Sequence, residues 1–387
     1  MLIFSYIFSS ALLMFVPYVT IIIGLTVTYE KIMELINFLL IKSNISYIPS
    51  LLCEEFGKKT LRNILDQPFV PWIIHLSYFT PCLFFISFYI QTYCSFSLNS
   101  KLLFMLLYHV LLIGPRFRNF TLCNVILHKN SHTINGIFKY KFMNLLFEWF
   151  IGIFYGIRPE HYSVCHVKDH HKYNGRDLIC STQFDRTSFW DFLIYLSIYG
   201  ASWMGFSHVI DFYNKKKYIF AIRTALGCVF YFGFFLILYK INSFFALTHY
   251  LLIHIFNIIF LSAVNWTWHG FCDKDQIDNE YINSTTIING TDNVFNEDYH
   301  VAHHLQHTMH WINLKTHYEE NIEVFKNNQA TIFTDIQQIE LFFYMILKKY
   351  DLMAKKFVDL SGKLTHEDKV KLLKKRMEKI IYLEKEN

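Results

Sequence analysis

Three histidine clusters dominate the chemistry this chain can do: HxxxH at His128 and His132, HxxxHH at His166, His170 and His171, and HxxHH at His300, His303 and His304. Residues three and four apart share one face of a helix, so each cluster can aim its imidazoles at a common point. Neutral imidazoles gathered in this way suit iron, zinc, copper or nickel. With 19 histidines in 387 residues, about one adjacent pair is expected by chance, and a pair with a third histidine three or four positions upstream on the order of 0.1 times. Two such triplets are present, so the pattern calls for a metal site. A structural zinc site takes about four ligands, usually with thiolates among them. Eight histidines exceed one such site and fit two metal ions.

The elements that must position these clusters read as membrane helices. The chain is 53% hydrophobic and 17% charged, against roughly 25% charged in soluble domains. Apolar runs lie near 70–95, 101–115, 189–212, 219–239 and 244–264, and the N-terminal segment carries no charge before Glu30. That segment is long enough to span. With no basic residue at its start, it reads as a retained span and not as a cleaved signal peptide. The expected fold is all-α and polytopic, with about four core transmembrane helices plus a probable N-terminal one and a cytosolic helical cap holding a dimetal site. The expected organisation is 1–69 as apolar segment and linker, 70–311 as membrane domain, and 312–387 as a polar helical tail.

Turns are predicted at Ser97 to Lys101 and at Lys240 to Ser243. The run 189–212 contains Asp191, His208 and Asp211, and 145–157 contains Glu148, so both read as in-plane or partly buried helices. Lys215, Lys216 and Lys217, and the basic residues of the 116–188 loop, are cytosolic by the positive-inside rule. If 219–239 crosses outward and 244–264 returns, all three clusters emerge on that same side. In the tail, Thr365 to Asp368 resembles a capping box before a basic helix.

Composition excludes other classes. The net charge of +5 fits a face toward an anionic leaflet and no nucleic-acid partner. Eight cysteines without a CxxC indicate neither a disulfide scaffold nor a zinc ribbon. Sequons at Asn44, Asn119, Asn265, Asn283 and Asn289 matter only if lumenal, and the topology places most of them opposite.

The order HxxxH, HxxxHH, HxxHH, with two spans between the second and third boxes, resembles the membrane fatty acid desaturase family over roughly residues 70 to 310. Asn265 and His269 follow the last span, four apart. They match the place where acyl-CoA desaturases of this family have a ninth metal-ligating histidine and an asparagine that holds a metal-bound water. The resemblance therefore implies a ligand set of His128, His132, His166, His170, His171, His269, His300, His303 and His304, with Asn265 near the metal through water. It also implies two iron ions, O2 as co-substrate and a lipid acyl substrate such as an acyl-CoA or acyl lipid. The expected setting is the endoplasmic reticulum membrane, with the boxes facing the cytosol. The first box has three residues between its histidines where acyl-CoA desaturases commonly have four, and the second has three before its pair where they commonly have two. The third box opens on His300, not on the Gln of front-end desaturases. There is no His-Pro-Gly-Gly haem loop, so electrons are expected from an external cytochrome b5 or ferredoxin and its reductase.

Alternatives remain at this stage. The same scaffold serves lipid or sphingoid-base hydroxylation, since ligand spacing does not set whether a carbon radical rebounds or loses a second hydrogen. A metal-ion transporter with a His-rich loop is a different class, but it calls for metal-binding residues along the spans. Asn265 and His269 can also be a satisfied interfacial pair. His161, His307, His310 and His317 read as surface residues or neighbours of the ligands. Asp169 either orients an imidazole or is a solvated charge, and the segment from Asp177 to Arg186 is a headgroup contact or a plain loop. His75, His109, His208, His249 and His254 stay outside the site, and Trp266, Trp268 and Trp311 suit an interfacial aromatic belt.

Overall fold

A computed structural model describes the backbone of residues 2–42, 50–173 and 184–380, and side chains within 16–36, 51–172, 184–202 and 205–380. It divides into two compact units. One comprises Met1–Ser163 and His208–Asn257, the other Val164–Ser207 and Ile258–Asn387. Among the described residues, four helical stretches are long and apolar enough to cross a membrane: Ile64–Tyr93, Leu98–His132, Tyr218–Ile241 and Ser243–Trp268. They fall on the four core runs read from the sequence, and the chain is an integral membrane protein. The expected N-terminal span falls within the helix Leu2–Lys42. Side chains of residues 1–15 lie outside the described ones, and beyond them Val16, Ile21 and Ile32 are exposed.

In the first unit, the helix Tyr218–Ile241 buries Ala221, Thr224, Cys228 and Tyr231 on one stripe. Its opposite side exposes Ile219, Ile222 and Val229, the inverse of a water-facing helix and the arrangement hydrocarbon favours. Gly227 lets it approach the chain closely, because a Cβ there would meet the Pro159 carbonyl at 2.2 Å. Both hairpin connections exist and meet, but the first lies at 94–97, ahead of the expected Ser97 to Lys101, because residues 98–101 already form the next helix. Ser97 caps the helix Leu98–Ile113, and Asn242, between Tyr218–Ile241 and Ser243–Phe245, donates to the Gln91 carbonyl and to Thr92 Oγ1, each at 3.1 Å. The span that follows Ser97 breaks before the first histidine box. Gly114 has φ +80° and Pro115 follows it, so one helix ends there and a second, Arg118–His132, carries the first box.

The run 189–212 forms two short helices, Phe189–Tyr199 and Ser207–Asn214, and no single clean span. In the second unit, the strands Thr285–Ile288 and Thr331–Thr334 pair in parallel, with Thr285 opposite Thr331. This small sheet is absent from the sequence reading. A parallel pair needs a crossover, and here the crossover contains the third box, on the helix His300–Leu305. Val301 and Ala302 pack with Tyr299, Leu314, Tyr318, Phe325, Ala330 and Ile332 in an apolar core. The helix His366–Met377 begins at a complete capping box of Thr365 and Asp368. Its end is tied in by Arg376, which is buried and donates to the Gln329 carbonyl at 2.9 Å.

Candidate metal centre

Seven of the candidate ligands lie in the second unit, and the fold gathers them. Ligand nitrogens of His170, His269 and His304 lie within 4.8 Å of one another, as do those of His166, His171 and His303. His300 Nε2 stands 3.2 Å from His269 Nε2, His171 Nε2 stands 3.0 Å from His166 Nε2, and His303 Nε2 stands 3.2 Å from His171 Nε2. Two nitrogens each about 2.1 Å from one ion, at tetrahedral or octahedral angles, stand roughly 3.0–3.4 Å apart. The imidazoles thus have the spacing of ligands around ions. In the first unit, His128 and His132 show the same approach, Nε2 to Nε2 at 3.1 Å.

Each box reaches this arrangement through a different local structure. His128 and His132 lie one turn apart at the end of the α-helix Arg118–His132. The second box was expected on an α-helix, but His166 and His170 lie on a π-helix, His161–His170, and His171 opens the α-helical turn His171–Tyr173. The wider turn of the π-helix brings residues four and five apart to one side, so that the rings of His166 and His170 stack at 5.1 Å between centroids. The third box uses amphipathicity: with Val301 and Ala302 in the apolar core, His300, His303 and His304 are left to a polar interior and are themselves buried.

Partners on the outer nitrogens fix two tautomers. His269 Nδ1 lies 3.2 Å from the Asn283 carbonyl, which can only accept, so Nδ1 carries the proton and Nε2 presents its lone pair. His304 Nδ1 lies 3.2 Å from Glu280 Oε1 and donates to that carboxyl when it is ionised, which sets the same tautomer. Burial pushes both imidazoles well below their ordinary range, His269 with help from His170 and His304 with help from His171. Both are therefore neutral, as metal ligands must be. Burial raises the Glu280 carboxyl to about 7, opposed by the Ser284 hydroxyl that donates to it. An all-imidazole donor set with Nε2 atoms turned toward one another fits divalent iron in two groups.

Glu280 and Asn283 were not found from the sequence, because a lone acid carries no spacing signal and Asn283 acts through its backbone carbonyl, which every residue has. Trp268, expected in an interfacial belt, instead stacks on His300 at 4.2 Å and 17°. Trp266 is fully buried, donates to the Arg186 carbonyl at 3.1 Å and lies 4.4 Å beneath the Arg186 guanidinium, which overturns the belt reading for it. Asn265 is buried and its side-chain amide donates to Tyr195 Oη at 2.7 Å, while its backbone carbonyl accepts from the His269 backbone N–H at 3.1 Å. Asp169 is 2% exposed, so it is no solvated charge. His307 sits 5.5 Å from the His171 ring, a neighbour of a ligand, and His161 is fully buried, not at the surface. His317 contacts Asn321. Of the segment Asp177 to Arg186, residues 177–183 lie outside the described ones.

No curated protein and no solved structure matches the chain. The family model described as fatty acid desaturase matches residues 100–335, a stretch that contains all three boxes, Asn265 and His269. A match over more than half of the sequence, on a membrane-helical fold that gathers these histidines, places this chain in the fatty acid desaturase family.

Proposed function

We propose that the protein catalyses O2-dependent desaturation of a fatty acyl chain, carried by coenzyme A or a lipid. The observation that carries this reading is the set of Nε2 atoms facing one another at 3.0–3.2 Å. The ligand set is His128, His132, His166, His170, His171, His269, His300, His303 and His304, with Asn265 near the metal through water. Two iron ions, when bound, supply the activation of dioxygen that breaks unactivated C–H bonds. The chain's own part is to hold neutral imidazoles at fixed tautomers through Asn283 and Glu280, and to exclude thiolates, which such oxidants destroy. Electrons come from an external cytochrome b5 or ferredoxin, and the boxes face the cytosol at the endoplasmic reticulum.

The test is metal analysis of the purified full-length protein together with lipid profiling of cells that gain or lose it. About two irons per chain and a new double bond are expected. Iron well below two per chain, or hydroxylated lipid without any new double bond, overturns the assignment, and the second result establishes the hydroxylase on the same scaffold.

A further inference from the structure

In the first unit, just before the second histidine box, a buried network stands apart from the candidate ligands. Ser163 Oγ lies 2.8 Å from Glu148 Oε1 and 2.8 Å from Glu160 Oε2. Glu148 Oε1 also accepts the Glu160 backbone N–H at 3.0 Å, and Arg223 holds Glu160 Oε2 at 2.6 Å. Both carboxyl groups are buried, Glu148 at 7% and Glu160 at 4% exposure. A hydroxyl has one proton to donate. It serves one carboxylate, so the second contact is a hydrogen bond only when that carboxyl itself donates to Oγ. Arg223 favours charge on Glu160, which leaves the proton on Glu148.

Two further facts agree. Burial, and then the Glu160 charge, raise the Glu148 carboxyl to about 7, against the opposing pull of Ser163, the Glu160 N–H and Arg223. Glu160 also has φ +66°, a conformation its Cβ disfavours. The network holds it there. Arg158, the other cation of this turn, is directed away and bonds the carbonyls of Pro159 and Thr224.

We propose that Glu148, Ser163 and Glu160 form a relay that loads protons for the reduction of dioxygen, an inference that rests on the function proposed above. Desaturation by O2 joins one O2, two electrons and two protons from outside, and two hydrogens from the substrate into two waters, so two protons must enter per turnover. In the relay, Glu148 first gives up its proton toward the oxygen being reduced; Glu160, protonated from solvent at the Arg223 end, then gives a proton to Ser163 Oγ as the Ser163 O–H proton passes to Glu148, which restores the starting state. One O–H bond breaks and one forms at the serine, and no electrons move. The Arg223 end is open, its side chain 42% exposed. The other end adjoins the first histidine box within the same unit: Tyr162, next to Ser163, donates to Asn124 at 2.9 Å and its ring lies 5.7 Å from that of His128. Glu148 and Glu160 are positioning and proton-holding residues, not ligands.

Infrared difference spectroscopy of the metal-free full-length protein against pH tests the pair without any turnover. The expected result is that the protonated-carboxyl stretch, to which the buried Glu280 and Asp298 also contribute, contains a component that fades as pH rises through about 7 and that is lost in Glu148→Gln but kept in Glu280→Gln. A Glu148→Gln spectrum whose carboxyl stretch and its pH dependence are identical to those of the wild type overturns the proposal. Turnover tests the relay. Wild-type rate should fall as pH rises past neutrality, and Ser163→Ala should be roughly tenfold slower or worse, with bound metal unchanged and the Glu148 band still present. A Ser163→Ala enzyme with wild-type rate and pH profile removes the relay. A protein that shows the band but makes no desaturated product refutes the function above and the relay's part in it, while the proton-sharing pair stands.

Discussion

The helix Tyr218–Ile241 in the first unit and the helix His300–Leu305 in the second sort their side chains by opposite rules. On the former, Ile219 and Val229 are 73% and 65% exposed while Thr224 is fully buried. On the latter, His300, His303 and His304 are all buried beside Val301 and Ala302. Outward apolar faces are stable only against hydrocarbon. Buried imidazoles whose ring nitrogens face each other at about 3 Å repel unless a proton or a metal ion lies between them. The same chain therefore answers two environments, and the contrast separates what holds the protein in a membrane from what holds a metal in the protein.

The strongest way to break that contrast is to remove one ligand. His304→Ala should lower metal retention and product formation by at least about a hundredfold, whereas His317→Ala, beside Asn321 and outside the gathered set, should stay within about twofold. Iron content after dialysis and product yield measure both. Equal tolerance at the two positions sinks the ligand assignment.

How legible this was depended on which physical signal each residue carries. The four spans were readable because hydropathy over about 20 residues needs no partner, and the box histidines because their spacing repeats. His269 was found only as a match to a family pattern, since one histidine after a span has no spacing of its own. Glu280, Asn283 and Trp268 were illegible: each acts on an imidazole distant in sequence, through a contact that only the fold creates. The π-helix of the second box was also missed. The third residue before the histidine pair, a departure at the level of spacing, is accommodated by the wider turn that brings His171 Nε2 to 3.0 Å from His166 Nε2.

A matched pair of surface substitutions sharpens the other half of the comparison. Val229→Asp places a charge on the exposed apolar face of a span and should cost about 2.5–3.5 kcal/mol of insertion. Leu347→Asp alters a side chain of similar exposure, 59%, in the second unit and should stay within about 0.5 kcal/mol. The fraction of chain integrated into microsomes reads the first and thermal denaturation the second. If both were equally harmless, the exposed face of Tyr218–Ile241 would not be facing lipid.

Between these extremes lies the support of a ligand. Glu280→Ala removes the carboxyl at His304 Nδ1 and should weaken metal binding about 10- to 100-fold without preventing insertion. Competition with a chelator measures it. An affinity unchanged in Glu280→Ala would show that His304 is oriented by packing alone.

The smallest expected effect lies farthest from both metal and membrane. Thr365 Oγ1 accepts the Asp368 N–H at 3.2 Å, and Asp368 Oδ2 accepts the Thr365 N–H at 3.1 Å, satisfying two donors at the start of the helix His366–Met377. The last carbonyls of that helix, at Arg376 and Met377, accept from the N–H groups of Cys272 at 2.8 Å and Arg186 at 3.0 Å. Cys272 lies three residues past His269, and Arg186 covers Trp266, so the helix acts as a strap behind the site. Thr365→Ala should destabilise the second unit by about 1 kcal/mol and leave metal affinity within twofold, because the strap lengthens its excursions before any imidazole moves. Hydrogen exchange at the Cys272 and Arg186 amides should accelerate by roughly fivefold, the same free energy read locally. Acceleration instead at the helix Tyr218–Ile241, with those two amides unchanged, would mean that the strap supports the bundle and not the metal centre.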